Sequence, residues 1–441
     1  MPAGWRNHRE GDCQSHSRWK SMSRTPKLYR VAARIVEALN QMPQSVQPLL
    51  ASAHYPNKGQ LAALVTRVAQ KLQVLEAVVT QSSLLEQGVP KPITLVLVHE
   101  VLFGSRPLHS GICPRIDQVL ACRPQLEKAL AAVPQAEKAP LPRYARVNTL
   151  LLNTSTVIQQ LEEAGFTRIR YPRRRGLAWF LERVCRLEPH EFLKDFHLRD
   201  WLVFGKGARL TQLDLVHKAQ LLLQDKASGM AVVALDPWPG AVLLDACAAP
   251  GMKTSYAAAL MQNTGHILAV DKCGERLQAL RDLMQVGGFK SICKVQEADF
   301  LDLDPSAEPQ CASELILVDP SCSGSGLCGR LGRELDAHSD EGRDRLRRLS
   351  CVQAMLLKHA LRFPHCKRVV YSTCSVHKQE NEDVVAEVLT WSKGQFVLAH
   401  ALPELPTRGL GPLGDHCVRM EAKSSLTRGF FLAVLERAAG H

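Results

Sequence analysis

The chain has 441 residues, enough for two or three domains with cores of their own. Its 55 Lys and Arg against 43 Asp and Glu leave a formal charge of +12, which favours a polyanionic partner, nucleic acid first. Fourteen cysteines lie scattered, with no Cys-x-x-Cys pair and no signal-peptide pattern, so a reducing intracellular compartment is expected; no apolar run is long enough to span a membrane.

In chain order, residues 1–25 carry Arg6, Arg9, Arg18, Lys20 and Arg24 among serines, with too few large apolar side chains to offset the entropy of ordering. They read as a disordered basic arm; Glu10 and Asp12 count against the rival reading, a mitochondrial transit peptide. Helical periodicity then begins, with Leu28, Val31, Ala32, Ile35 and Leu39 on one face and Leu61, Leu64, Val65, Val68 and Leu72 on another. Further helices are predicted over 75–86 and 93–103. Residues 26–132 thus form a helical domain without clustered catalytic residue types, suited to docking or positioning RNA. Pro134, Pro140 and Pro142 mark 133–142 as a linker.

A small α/β unit is predicted over 140–223, with a strand at 143–150, a helix at 155–164 and a strand at 166–171. Arg168, Arg170, Arg173, Arg174 and Arg175 cluster there beside Tyr171, Trp179 and Phe180. Such a run is either a solvated face or a platform on which guanidiniums and rings hold single-stranded RNA. From Gln224 to the end the pattern alternates strands (242–245, 266–270, 291–295, 315–318, 368–372 and 430–435) with helices, one of them carrying Leu346, Leu349, Val352, Leu356 and Ala360 on one face. The expected architecture is α/β: a doubly wound, Rossmann-like sheet over 224–441, preceded by the small α/β unit and the helical domain.

Ligands of open α/β sheets bind beyond the carboxyl ends of the strands, so those positions carry the chemistry. The run Val242-Leu-Leu-Asp245 opens into Ala-Cys247-Ala248-Ala249-Pro250-Gly251-Met252-Lys253, a turn of small residues on which a nucleotide can lie against the backbone. Asp271, twenty residues past Gly251, closes the next strand where a ribose acid belongs. Because the turn is not Gly-x-Gly-x-x-Gly and Pro250 removes a donor that a pyrophosphate would want, S-adenosylmethionine fits better than a dinucleotide. Asp299 follows the third strand and Asp319-Pro-Ser-Cys322-Ser-Gly-Ser-Gly326 the fourth; Tyr371-Ser-Thr-Cys374-Ser375 closes the fifth. Cys247, Cys293 and Cys351 read as small buried hydrophobes. Cys322 and Cys374 do not. Metal is not expected, because Cys374 and His377 lack a second close pair and the spacing of Cys322 and Cys328 is wrong. A nucleophile fits better: thiolate addition at C6 of cytosine makes C5 able to attack a sulfonium methyl.

These residues, together with Glu380-Asn381-Glu382, Gly429-Phe-Phe431, Arg146-Val-Asn-Thr149 and Gln224-Asp-Lys-Ala-Ser228, resemble the Sun-domain (Nol/Nop/Sun, Fmu-type) RNA cytosine-5 methyltransferases over roughly 140–437. The segment from Leu95 to Gly104 is similar to the family's amino-terminal part. Ser321 before Cys322 resembles the branch acting on large-subunit ribosomal RNA (25S/28S). The resemblance implies that Cys374 is the nucleophile, that Cys322 assists product release, and that Asp319, beside Lys253, holds the cytosine edge and abuts the cofactor. It implies that the turn from Cys247 to Lys253, with Asp271 and Arg276, holds S-adenosylmethionine, and that Asp299 lies at the adenine. The expectation is a monomeric, nucleolar enzyme of rRNA processing and ribosome biogenesis. A transfer RNA methyltransferase and a non-catalytic RNA-binding assembly factor are the alternatives. Two positions depart from the family pattern: Met252, where Gly or Asn is frequent, and Arg428, where an acid or small residue is common.

Overall fold

The computed structural model describes residues 25–41, 49–50, 52–82, 84, 90–104, 108–109, 111–133, 141–327 and 339–439. The basic arm up to Arg24, residues 134–140 of the expected linker, and Cys328 lie outside the described residues. The described residues form two compact units, one up to Val133 and the other from Leu141 onward.

The first unit is helical: Lys27–Gln41, Lys58–Gln70, Leu72–Gln81, Lys91–Phe103, Pro114–Ala121 and Arg123–Ala132. Asn57 caps the second helix by accepting from Gln60 N at 2.9 Å. Lys91–Phe103 buries every side chain from Ile93 to His99, so it is the central helix around which Ala32, Ile35, Leu39, Leu61, Val65, Val68 and Leu75 form one core. An all-round apolar helix has no outer face to give to water.

The second unit holds two sheets. In the smaller, β1 (Arg143–Val147), β2 (Thr167–Arg168), β3 (Glu191–Lys194), β4 (Trp201–Phe204) and β5 (Leu221–Leu223) run in the order β2-β3-β4-β1-β5, with helices Thr154–Glu163 and Gly176–Cys185. The strand expected over 166–171 shrinks to β2, because the chain leaves the sheet after Arg168 and makes a single 3-10 turn over Arg173–Arg175. The aromatic platform needs a correction. Phe180 is 1% exposed in the core, while Trp179 is half-buried 5.4 Å from the Tyr171 ring, with the guanidinium of exposed Arg175 above it at 5.7 Å.

The larger sheet is built from β6 (Val242–Asp245), β7 (His266–Asp271), β8 (Cys293–Glu297), β9 (Leu315–Val318), β10 (Arg368–Thr373), β11 (Phe396–Ala399), β12 (Val418–Met420) and β13 (Phe430–Arg437). The order is β11-β13-β10-β9-β6-β7-β8, with β12 on β13; strands β8 through β10 are parallel and β13 is antiparallel to β10. Successive residues of β6 and β7 face opposite sides: Leu243, Ile267 and Ala269 enter one core with Ala257 and Leu277, while Leu244, Leu268 and Val270 enter another with Leu357 and Val385. Both faces are covered, the Rossmann-like doubly wound arrangement. Strand order reverses between β6 and β9, so the turns after Asp245 and Val318 flank the crevice where such sheets bind ligands.

The core on the first face also contains Tyr144, Phe180, Trp201 and Val203 of the small sheet. Arg146, fully buried, donates from Nε to Gln224 Oε1 at 3.1 Å and from Nη2 to Ser255 Oγ at 2.8 Å. Burial pushes its pKa down to about 10, still charged at neutral pH. Along Asp340–Ala360 the expected stripe is displaced at one position. Val352 is 45% exposed and Gln353 is buried in its stead, its amide bonded toward the site below.

Candidate active site

Four carboxylates stand at the carboxyl ends of consecutive sheet neighbours: Asp245 ends β6, Asp271 ends β7, Asp299 follows β8 and Asp319 follows β9. The turn from Ala246 to Gly251 is held to β7, with Ala248 N donating to Val270 O at 2.9 Å and Ala249 N to Asp271 Oδ2 at 3.1 Å. The peptide before Pro250 is cis, and Gly251 has φ +100°, with Leu280 Cδ1 only 2.4 Å from where a Cβ would stand. Asp271 Oδ1 accepts from Cys273 N at 3.0 Å, which fixes the carboxylate at the crevice with acceptor sites to spare. Arg276 stands with Nη1 3.7 Å from Asp271 Oδ2 and bonds Ala249 O through Nη2. Asp299, half-exposed, accepts from Leu301 N at 3.1 Å.

On the other side of the switch, Lys253 Nζ donates to Asp319 Oδ2 at 2.6 Å, and Ser372 Oγ donates to Asp319 Oδ1 at 2.8 Å. Lys253 also lies 5.3 Å from the centre of the Phe430 ring. Cys322 Sγ and Cys374 Sγ are 3.0 Å apart. The hydrogen bond to Cys374, then burial, holds the Cys322 thiol well above the usual range, so Cys322 keeps its proton. Burial also pushes up the Cys247 thiol and the Asp245 carboxyl, the latter to about 6. Of the cysteines read as buried, Cys293 is buried, Cys247 is half-buried and Cys351 is exposed on the solvent side of its helix. Among the described residues no three His, Cys, Asp or Glu side chains gather as metal ligands.

Residues 232–436 match the family described as 16S rRNA methyltransferase RsmB/F, and residues 141–224 match the ferredoxin-like domain of NOL1/NOP2/Sun domain family member 5. The 28S rRNA (cytosine-C(5))-methyltransferase of Mus musculus is 38% identical over 93% of this chain and 91% of its own. The chain belongs to the NOL1/NOP2/Sun family of cytosine-5 methyltransferases. The 26S rRNA (cytosine-C(5))-methyltransferase nsun-5 of Caenorhabditis elegans is 33% identical over 94% of this chain and 98% of its own. A methyltransferase homolog protein from Pyrococcus horikoshii, 24% identical, shares the fold with a TM-score of 0.53 over 83% of this chain and 99% of that one.

As a NOL1/NOP2/Sun enzyme the protein uses S-adenosylmethionine, and its rim suits that cofactor. The small turn admits it to the backbone, Asp271 offers acceptors for ribose hydroxyls, and the acids complement a cationic sulfonium better than a pyrophosphate. The sequence-predicted site residues, from Cys247 through Cys374, stand at the carboxyl ends of β6 to β10 or on the turns and helices that follow those strands.

Sequence reasoning missed the frame beneath the cysteines. Glu380, wholly buried, accepts from Ser323 N (2.8 Å), Ser323 Oγ (2.5 Å), Ser375 Oγ (2.5 Å) and Gln353 Nε2 (2.9 Å), joining both cysteine loops through one carboxylate. Tyr371 OH donates to Glu380 O at 2.6 Å, and Asn381 Nδ2 to Ser375 O at 3.0 Å. Beyond them Arg419 grips Glu382 with two 2.7 Å bonds. Glu380-Asn-Glu382 was visible as a family run, but nothing local announces that its first acid lies under two loops 50 residues apart.

Proposed function

We propose that this enzyme transfers the methyl group of S-adenosylmethionine to C5 of a cytosine in large-subunit ribosomal RNA. The observation that carries the reading is the 3.0 Å contact between Cys322 and Cys374 at the cofactor rim. The near full-length similarity to the mouse 28S and nematode 26S enzymes supports the substrate.

The bound cofactor supplies an electrophilic methyl on a positive sulfur. Cys374, on the short turn after β10, loses its proton to water and adds its sulfur to C6; the C5–C6 π pair becomes available at C5, which would take the methyl while the old methyl–sulfur pair returns to the cofactor's sulfur. The contact with Cys374 and burial keep the proton on Cys322, so the nucleophile is assigned to Cys374. Asp319, oriented from both sides by Lys253 and Ser372, receives the cytosine edge. After methyl transfer the C5 proton is lost to water and the C6–S bond breaks, its pair remaining on Cys374. Donation from the Cys322 thiol stabilises that departing sulfur. The same reading assigns the protein to the nucleolus as a monomer; no helix among the described residues is long and apolar enough to cross a bilayer.

Bisulfite sequencing of total RNA from cells with and without the protein tests the substrate: loss of one large-subunit methylcytosine is expected. Loss confined to transfer RNA would replace the substrate class. No loss anywhere would favour a non-catalytic assembly factor.

A further inference from the structure

Arg428, one of the two departures from the family pattern, borders a cavity of about 480 Å³ lined by Arg143, Tyr144, Gln224, Asp225 and Arg428, with Leu141, Pro142 and Leu223. That volume is in the range of a small-ligand site. The cavity lies where the first residue of β1 meets the end of β5 and the loop entering β13. Two arginines and one carboxylate are among its lining residues. Asp225 is already engaged, its Oδ1 accepting from Ala227 N at 2.9 Å and its Oδ2 from Arg428 N at 3.3 Å, with Arg428 Nε 4.0 Å away. Arg143 is exposed, and among the described residues no carboxylate stands within ion-pair distance of it. The lining therefore carries an uncompensated positive charge. Tyr144 backs the cavity from the core, 6% exposed and with its hydroxyl buried.

The cavity is tied to the nucleophile. Arg428 precedes Gly429, whose N donates to Gly326 O at 2.8 Å, and Gly326 N donates to Cys374 O at 3.0 Å. We propose that the cavity is a subsite for a backbone phosphate of the RNA strand flanking the target cytosine, held by Arg143 and Arg428. The subsite rests on the RNA reading above. Asp225 sets its geometry: it holds the Arg428 backbone in place and caps the helix Lys226–Leu235, so the guanidinium at 428 is presented at the mouth and not withdrawn into the core. An acid or small residue at 428 would leave Arg143 as the only cation in the lining.

The test uses the full chain carrying Arg143→Gln and Arg428→Gln together, with a large-subunit rRNA fragment as probe. Unchanged melting temperature and S-adenosylmethionine affinity establish that the variant is folded. RNA affinity at low salt is expected to fall about tenfold, and the slope of log K against log salt to flatten by about 0.7 for one phosphate lost from a single strand. A scan replacing single phosphates near the target with neutral methylphosphonates should find one position that weakens wild-type binding and not the variant. Equal affinity, slope and scan in the two proteins would overturn the subsite even if the wild type methylates the fragment. A wild type that neither binds nor methylates the fragment would instead sink the RNA reading beneath it.

Discussion

Asp245 closes β6 with its carboxyl wholly buried, and desolvation raises its pKa from 3.8 to about 6 despite the hydrogen bond from Thr254 Oγ. Between those two values the folded protein holds a proton that the unfolded chain has lost, so stability falls as pH rises through that window. Above about pH 6 the whole penalty applies, about 3 kcal/mol for a shift of some two units. Asp245→Asn should therefore raise the melting temperature at pH 8 and leave it unchanged at pH 4; an equal rise at both would mean that ionisation is not the cause. Glu380 is the opposite case, a buried carboxylate with four donors. Glu380→Gln offers one acceptor oxygen where two are used, and should cost about 2–3 kcal/mol. In kinetics it should lower kcat far more than it raises KM, since it misplaces the cysteine loops and not the cofactor turn. The two cysteines separate by step. Cys374→Ala should abolish methylation and adduct, whereas Cys322→Ala should trap an RNA adduct that survives a denaturing gel and disappears with RNase; the reverse pattern would exchange their roles.

At the scale of elements, the two cysteine loops are stitched to the start of β13 by a glycine pair. A Cβ on Gly326 would stand 2.2 Å from Gly429 O, and one on Gly429 would stand 2.6 Å from Gly326 Cα. Gly429→Ala should push the Gly326 turn away from the start of β13 and remove the bond from Gly326 N to Cys374 O. Adduct formation should fall at least tenfold while S-adenosylmethionine affinity stays within twofold, because the cofactor turn belongs to β6; a matching loss of cofactor binding would show that the two halves of the rim are not independent. What was legible in the sequence follows the same division. Strands buried on both faces, such as Leu315–Val318 and Val369–Tyr371, announce themselves as apolar runs, and the residues just past them are the chemistry. Strands β2 to β5 have two to four residues, too short for a period to register, and exist because they pair with one another. Val352 and Phe180 were misplaced for a related reason. Periodicity gives a face to within one residue, and only the tertiary partner decides that Gln353 turns inward to Glu380, or that Phe180 packs in the core while Trp179 meets Arg175.

Across the whole second unit, the small sheet is fixed to the methyltransferase sheet by polar groups that no local pattern reveals. Asn148 Nδ2 bonds both Ala219 O and Gly287 O, Arg146 reaches Ser255, and Lys226 Nζ meets Asp195 Oδ2 at 2.8 Å, with side-chain exposures of 4% and 0%. Asp195 follows β3, while Lys226 opens the helix Lys226–Leu235, which packs on β10. The remaining Asp195 oxygen accepts from His197 N and Leu198 N at 2.9 and 2.8 Å, so both oxygens of this buried carboxylate are engaged. Lys226→Met should then leave a buried, uncompensated anion and cost about 3–5 kcal/mol. Adding Asp195→Asn to it should return a large part of that loss, because the isosteric amide still accepts from the two backbone N–H groups and no longer needs a counter-charge. Urea titrations of the wild type, both single variants and the double variant measure the coupling. Strict additivity would mean that the pair is not a unit. Recovery in the double variant, with S-adenosylmethionine binding restored alongside it, would locate in this ion pair part of what makes the small sheet and the cofactor rim fold as one body.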